Sequence, residues 1–400
     1  MKYLKNLSYY IIPLLVAFFN ILIIIVPNVV ISSAQAGLLL WFNKILPSIL
    51  PFLIGTNILI QLGFIDFLGT LLDPFMKRFF NVSGCGAFAL VLGMLSGYPV
   101  GAKITASLRE NNKISQVEAQ RLVSFTNNSG PLFIIGAIGI GMFKNVYVGY
   151  LILAIHYISA ISVGFLFRFY KKSGNILVSN NISFKDALLK LKLARIKSNK
   201  TMGQILGESV KSSLETISIV GGFVILFSVI SELFKISGIF EKIGKFIFTP
   251  NIEPFSNGLF MGIIEITNGI NMLSSIEGIN GIIITCGLVS FSGFSILAQT
   301  SSMIYKSDIK MSIYFLSKIL HSIFSILYAI LCIPIFNKLI INNTASAFNY
   351  FENTNFKYST IYFLFGIFIL ILFSIFCKYL FAKKHKFFKN KYKFWQTIHI

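Results

Sequence analysis

Acidic residues are scarce. Only 14 of the 400 residues are Asp or Glu, and all charged types together reach 12%. That is about half the charged share of a soluble domain, so a water-soluble globular protein is excluded. Cysteine is scarcer still: Cys85, Cys286, Cys332 and Cys377 lie in apolar surroundings with no CxxC spacing. A disulfide framework and a thiolate zinc site are thereby excluded, and the four read as small buried hydrophobes. Histidine is equally sparse. His156 and His321 fall in different apolar stretches, while His385 and His399 sit in the basic tail. No HExxH, GxSxG or Walker pattern occurs, so no enzymatic activity and no cofactor is expected.

What is present is apolar. Hydrophobic residues make up 55% of the chain and the mean hydropathy is +0.77. Runs of about 20 apolar residues cross the hydrocarbon core as helices. The clearest are Tyr9–Val30, Val146–Phe167, Ile217–Leu233, Ile313–Ile335 (with Lys318 near its start) and Tyr358–Leu380. Interrupted ones cover Ile45–Leu62, Gly84–Gly101, Leu122–Met142, Phe255–Leu273 and Ile282–Ile304. The N-terminus, with Lys2, Lys5 and Ala34-Gln35-Ala36, resembles a cleavable signal. Its apolar run is longer than a signal core, and a retained first helix is expected.

The net charge of +21 comes from bases concentrated between Arg168 and Lys200 and between Lys378 and Lys393, beside hydrophobic spans. Cytoplasmic loops of membrane proteins have this form, and such clusters suit anionic headgroups rather than nucleic acid. The Arg168–Lys200 stretch carries nine bases against Asp186 alone, so it is placed inside. The tail after Lys378 is inside too, and the Asn- and Thr-rich stretch Ile341–Ser359 can be outside. Within the linker, Phe184, Leu188 and Leu191 share one face of a basic amphipathic helix of the kind that lies on a membrane surface.

The chain also says nearly the same thing twice. SGYPVGAK (Ser96–Lys103) and FTNNSGP (Phe125–Pro131) interrupt apolar runs in the first half; EITNGI (Glu265–Ile270) and SFSGFS (Ser290–Ser295) do so in the second. Leu122-Val123-Ser124-Phe125 recurs as Leu288-Val289-Ser290-Phe291, and Asp66–Gly69 resembles Glu241–Gly244. Following the charges, the first copy starts outside and ends inside, and the second starts inside and ends outside. The fold expected is therefore all-α and polytopic: two inverted-topology repeats with broken, re-entrant helices, flanked by an N-terminal and a C-terminal transmembrane helix. The expected division is a first helix over 1–36, a first repeat over 37–168 and a basic cytoplasmic linker over 169–206. A second repeat follows over 207–336, then an external loop, last helix and tail over 337–400.

Non-helical backbone at membrane depth survives only where protein or a water-filled cavity covers it. Half-helices ending there aim free N–H groups and a positive dipole end into the gap, which suits an anion. The candidate substrate-binding residues are accordingly Ser96, Gly97, Tyr98, Lys103, Thr126, Asn127, Asn128, Ser129 and Gly130 in the first repeat. In the second they are Thr267, Asn268, Gly269, Ser290, Ser292, Gly293 and Gln299. Ionisable residues inside membrane segments point to function by default. Lys103 is assigned to a substrate carboxylate, or else it snorkels to the interface. Glu265 is assigned to a coupling proton or sodium ion. The charges of the connector Ser107–Arg121 are expected to be solvated.

SGYPVGAK followed by RLVSFTNNSGPLFIIGAIGIGMF resembles the YlbJ family of sporulation integral membrane proteins, over about Ile45 to Ile335. The resemblance implies two Gate, or nucleoside-recognition, regions in an endospore former. It also implies a role in moving dipicolinate across the outer forespore membrane. One position departs from the family pattern: in SGFSILAQ, Leu297 stands where that pattern has a His, while Gln299 is retained. Dipicolinate is a flat dianion; helix N-termini, Lys103 and amides can hold its carboxylates, and Tyr98, Phe125 or Phe291 can pack on its ring. Two other functions stay open to the sequence: a scaffold for other sporulation membrane proteins, and a nucleoside-type metabolite transporter. The lipid bilayer and a small anionic substrate are the expected partners.

Overall fold

The computed structural model describes residues 2–171, 184–248, 253–276 and 278–341. The expected last helix Tyr358–Leu380, the external loop and the basic tail lie outside the described residues. All regular structure within them is helical. Helix α1 (Lys2–Ile25) meets α2 (Pro27–Leu40) at 103°, and α2 passes through a π-helical turn, Trp41–Ile45, into α3 (Leu46–Gln61). The first half continues with α4 (Phe64–Leu71), α5 (Asp73–Phe80), α6 (Gly86–Ser96), α7 (Val100–Glu110) and α8 (Gln116–Thr126). A π-helical segment (Leu132–Met142) and α9 (Val146–Phe167) complete it. After α10 (Phe184–Ser198), the second half holds α11 (Met202–Ile236), α12 (Ile239–Ile247), α13 (Ser256–Ile264), α14 (Ile266–Ser274), α15 (Ile279–Phe291), α16 (Gly293–Ile304) and α17 (Met311–Ile341).

Among the described residues, four stretches are long and apolar enough to cross a membrane: Val146–Phe167, Met202–Ile236, Ile279–Ile304 and Met311–Pro334. Two bent pairs raise the total to six. One expectation is corrected here. The run Tyr9–Val30 is not one helix, because Pro27 lacks an N–H and its ring clashes with the preceding turn, so the chain turns at Val26. Thr201 and Gln204 form a capping box, the Gln204 amide donating to Thr201 Oγ1 at 3.3 Å and the Thr201 amide to Gln204 Oε1 at 2.9 Å, which begins α11 at Met202.

The two halves repeat element by element. Each has a short amphipathic helix (α4, α12), two helices broken near their middles (α6–α7 and α8 with the π segment; α13–α14 and α15–α16) and one long helix (α9, α17). The short helices start after left-handed glycines, Gly63 at φ 86° and Gly238 at φ 63°. Their packing glycines also correspond: a methyl on Gly69 would lie 2.9 Å from the Cys85 backbone, and one on Gly244 would lie 2.2 Å from Ser256 Oγ.

The equivalent long helices run in opposite directions. Gln120 exchanges hydrogen bonds with the Lys310 backbone at 3.2 and 2.8 Å, placing the start of α17 beside the start of α8. Arg121, in the same turn of α8, donates to the Tyr170 and Lys171 carbonyls just past the end of α9, at 3.0 and 2.5 Å. The end of α9 and the beginning of α17 therefore share one face of the molecule. Arg109, at the end of α7, makes a two-pronged pair with Asp308 there, 2.9 Å on each prong, and holds that carboxyl below its usual range.

The connector Ser107–Arg121 is less solvated than expected, a second correction. Arg121 is 1% exposed and Glu118 is buried. The Arg121 guanidinium also takes the Asn81 carbonyl at 2.6 Å, gathering the carbonyl ends of α5 and α9. Glu118 completes a capping box with Ser115 and accepts the Ser83 amide at 2.8 Å. The outer arms α2 and α3 pack along α11 through Trp41 Nε1 to the Ile217 carbonyl (3.0 Å), Asn57 to Ser213 (2.8 Å) and Gln61 to Ser209 (3.0 Å). Such side-chain bonds hold helices together where lipid supplies little hydrophobic driving force. Helix α10 lies against α4, with Ala187 buried and Leu188, Leu193 and Ile196 exposed.

Candidate functional site

The first repeat's two breaks touch. Gly97 has φ 84°, and a methyl on it would come within 2.9 Å of the Gly130 amide nitrogen; one on Gly130 would meet Gly97 nitrogen at 3.1 Å. Only glycine at both positions allows this backbone crossing. Residues 127–130 are extended between α8 and the π segment, and all four are buried. Within this crossing Ser96 Oγ, Asn128 Oδ1 and Ser129 Oγ are buried with no hydrogen-bond partner. In the second repeat Glu265 (φ −139°) breaks α13 from α14, and Ser292 (φ 75°) breaks α15 from α16. Those breaks also abut, since a methyl on Gly293 would lie 3.0 Å from the Gly262 carbonyl.

Asn127 ties the halves together. Its Nδ2 donates to Thr300 Oγ1 at 2.9 Å and to the Tyr314 hydroxyl at 2.7 Å, while Oδ1 accepts the Ala102 amide at 3.3 Å. Its own carbonyl accepts from Lys318 Nζ at 2.5 Å. Lys318 is fully buried, and its ammonium lies over the Tyr98 and Tyr314 rings, 5.1 and 5.6 Å from their centroids. The Tyr98 hydroxyl stands 3.4 Å from Nζ and donates to the Val289 carbonyl at 3.3 Å. Among the described residues no carboxylate pairs with Lys318. A buried cation is expected to be paired. Here it meets only neutral oxygens and π faces.

Next to it on α17 is His321, whose ring stacks on His156 of α9 with 4.7 Å between centroids. Counting from Val146 and from Met311, each is the eleventh residue of its helix, so the pair marks equivalent positions where the two helices cross. His156 Nε2 accepts the Ser129 amide at 3.1 Å and Nδ1 meets Ser290 Oγ at 2.9 Å. His321 Nε2 donates to the His156 carbonyl at 3.0 Å. His156 thus joins one break of each repeat.

Of the residues expected from sequence, Tyr98, Asn127, Ser129 and Ser290 meet at this centre, and Ser292 lies beside the Tyr98 and Tyr314 hydroxyls. Thr126 is turned back onto the Leu122 carbonyl at 2.9 Å, and Gln299 reaches Ser295 Oγ at 3.4 Å. Lys103 is directed to α11, where Nζ meets Ser212 Oγ at 3.0 Å and Thr216 Oγ1 at 2.6 Å. Glu265 is buried and caps α14, accepting the Thr267 and Asn268 amides at 3.1 and 2.8 Å. Gly269 packs on Gly262, an added methyl lying 2.2 Å from its Cα.

Sequence reasoning passed over Lys318, Tyr314 and both histidines as site residues. A signal was available: Tyr314, Lys318, His321 and Ser325 follow at spacings of four, three and four, one helical face of an otherwise apolar span.

The Gate family model, described as nucleoside recognition, matches residues 42–173, the first repeat. The sporulation integral membrane protein YlbJ of Bacillus subtilis (strain 168) is 38% identical over 321 residues, covering 76% of this chain and 78% of that protein. No solved structure matches the chain.

Proposed function

This chain belongs to the family of the sporulation integral membrane protein YlbJ, and from that premise we propose that it carries a small anionic metabolite, dipicolinate, across the outer forespore membrane during endospore formation. The observation that carries the reading is Lys318: a fully buried amine with no acidic partner among the described residues, placed where breaks of both repeats converge. Keeping that amine protonated without a partner costs several kcal/mol. A substrate carboxylate would neutralise it, and the dipoles and amides of the breaks would share the load.

The surroundings suit a flat aromatic acid. Tyr98 and Tyr314 put their rings beside the ammonium, and Ser96 Oγ, Asn128 Oδ1 and Ser129 Oγ wait nearby for partners. The opposed directions of α9 and α17 give the two halves the reciprocal relation that alternating access uses. The basic linker and tail are read as cytoplasmic, and no catalytic step belongs to this reading.

Uptake of labelled dipicolinate into vesicles holding the purified protein, set against labelled nucleosides, tests it. Dipicolinate accumulation with nucleosides excluded is the expected result. Nucleoside uptake that survives Lys318→Met would transfer the site to neutral substrates, and no uptake of either would favour a scaffold.

A further inference from the structure

Resting on the anion-carrier reading, we propose that His321 binds a proton together with the substrate, so that anion and proton occupy the site as one unit. The argument begins with charge. A dicarboxylate brings two negative charges to membrane depth, and Lys318 supplies one positive charge. Lys103 is committed to Ser212 and Thr216 on α11. An uncompensated charge at this depth is strongly disfavoured, so a second positive charge must arrive with the ligand.

Among the described residues, the hydrogen bonds leave the His321 ring open to it. The His156 carbonyl can only accept, so His321 Nε2, 3.0 Å away, carries a hydrogen. That makes Nδ1 the lone-pair nitrogen of the neutral ring, and it is buried with no partner among the described residues. Both nitrogens of His156 are already engaged, with the Ser129 amide and Ser290 Oγ. A proton from water adds to the His321 Nδ1 lone pair and gives an imidazolium; no other bond is made or broken. The Nε2–H bond to the His156 carbonyl then becomes charge-assisted and stronger.

Lys318 sits one turn away on the same face, the i, i+3 neighbour of His321. Before the anion arrives, its charge opposes a second cation beside it. Once a carboxylate neutralises Lys318 that opposition is removed, and the second carboxylate favours the imidazolium. Each ligand therefore raises the affinity for the other by the same factor. Among the described residues no other charged group intervenes. From α9 the ring faces His156, from the first break Tyr98 lies across Lys318, and α15 offers Cys286 and Ser290. The part of α8 beyond Arg121 carries no charged residue.

Calorimetry of dipicolinate binding to the purified protein, run in buffers of different ionisation enthalpy, counts the protons taken up. About one per anion is expected near neutral pH, with affinity rising up to about tenfold per unit fall in pH. His321→Gln should bind the anion with no proton uptake and no pH slope. Binding without proton uptake in the wild type overturns the proposal and leaves the carrier reading standing. Absence of anion binding removes both. A wild-type count near zero overturns the proposal even where the variant does not fold, and a variant that keeps full proton uptake also overturns the assignment.

Discussion

The Lys318 ammonium lies 2.5 Å from the Asn127 carbonyl, although 191 residues separate the two along the chain. The contact joins the long helix of the second repeat to the break of the first. It gives a buried cation a backbone dipole in place of a counter-ion.

Replacing that cation separates stability from function. Lys318→Met removes a buried amine that has no acidic partner among the described residues, but it also takes the donor from the buried Asn127 carbonyl, at about 1–3 kcal/mol. The two effects oppose each other, so the variant should melt close to the wild type. Its affinity for dipicolinate should fall by about 100-fold or more, as expected for loss of a buried charge partner worth about 3 kcal/mol. A detergent melt and a binding isotherm on one preparation read both quantities, and unchanged affinity would remove Lys318 from the site.

Gly97→Ala and Gly130→Ala should each lower folded yield and abolish uptake. Each added methyl meets the opposite amide nitrogen at 2.9 or 3.1 Å, and Gly97 also has φ 84°. Gly222→Ala is the control, with nothing within 4 Å of the new carbon on exposed α11. It should be neutral or stabilise by up to about 1 kcal/mol. Size-exclusion profiles distinguish the three; normal folding and uptake in both break variants would mean the crossing is dispensable.

Arg121→Ala should be among the most damaging changes outside the centre. It leaves the carbonyls of Asn81, Tyr170 and Lys171 without their donor, at about 1–3 kcal/mol for each that stays dry. Arg121→Lys should rescue little, since an ammonium cannot fork to several carbonyls on two helices. Thermal denaturation reads both variants, and a near-wild-type midpoint for Arg121→Ala contradicts the clamp.

Glu265→Gln keeps one acceptor oxygen where the carboxylate uses two, Oε1 for the Thr267 amide and Oε2 for the Asn268 amide, so only part of the α14 cap should persist. Glu265→Ala loses it and should cost about 0.5–2 kcal/mol. With the proton on His321, Glu265→Gln should retain pH-driven uptake. Loss of that drive in a well-folded Gln variant would assign the coupling ion to Glu265 instead.

Much of the fold could be read from the chain because its causes are local. Val146–Phe167 appears with the bounds that its apolar run dictates, and the breaks fall at Gly97, Gly130, Glu265 and Ser292, where glycine, proline and clustered polar residues interrupt the runs. Val26 is the instructive miss. Hydropathy runs smoothly through it, yet Pro27 turns the chain because backbone sterics are independent of polarity. Arg121 is another: a charge in a polar connector reads as solvated until three carbonyls from two helix ends are known to surround it.

The site divides along the same line. Sequence alone determined that the chain is a multi-pass helical membrane protein, that its interrupted helices recur in two halves, and that Asn127, Ser129 and Ser290 lie at those interruptions. Only the tertiary structure decided that Lys103 faces α11, that Glu265 caps α14, and that His156 stacks on His321, one turn from Lys318. The reason is physical. Periodicity and composition report on neighbours within a few turns, whereas the pairing of a buried charge depends on groups brought together from distant helices.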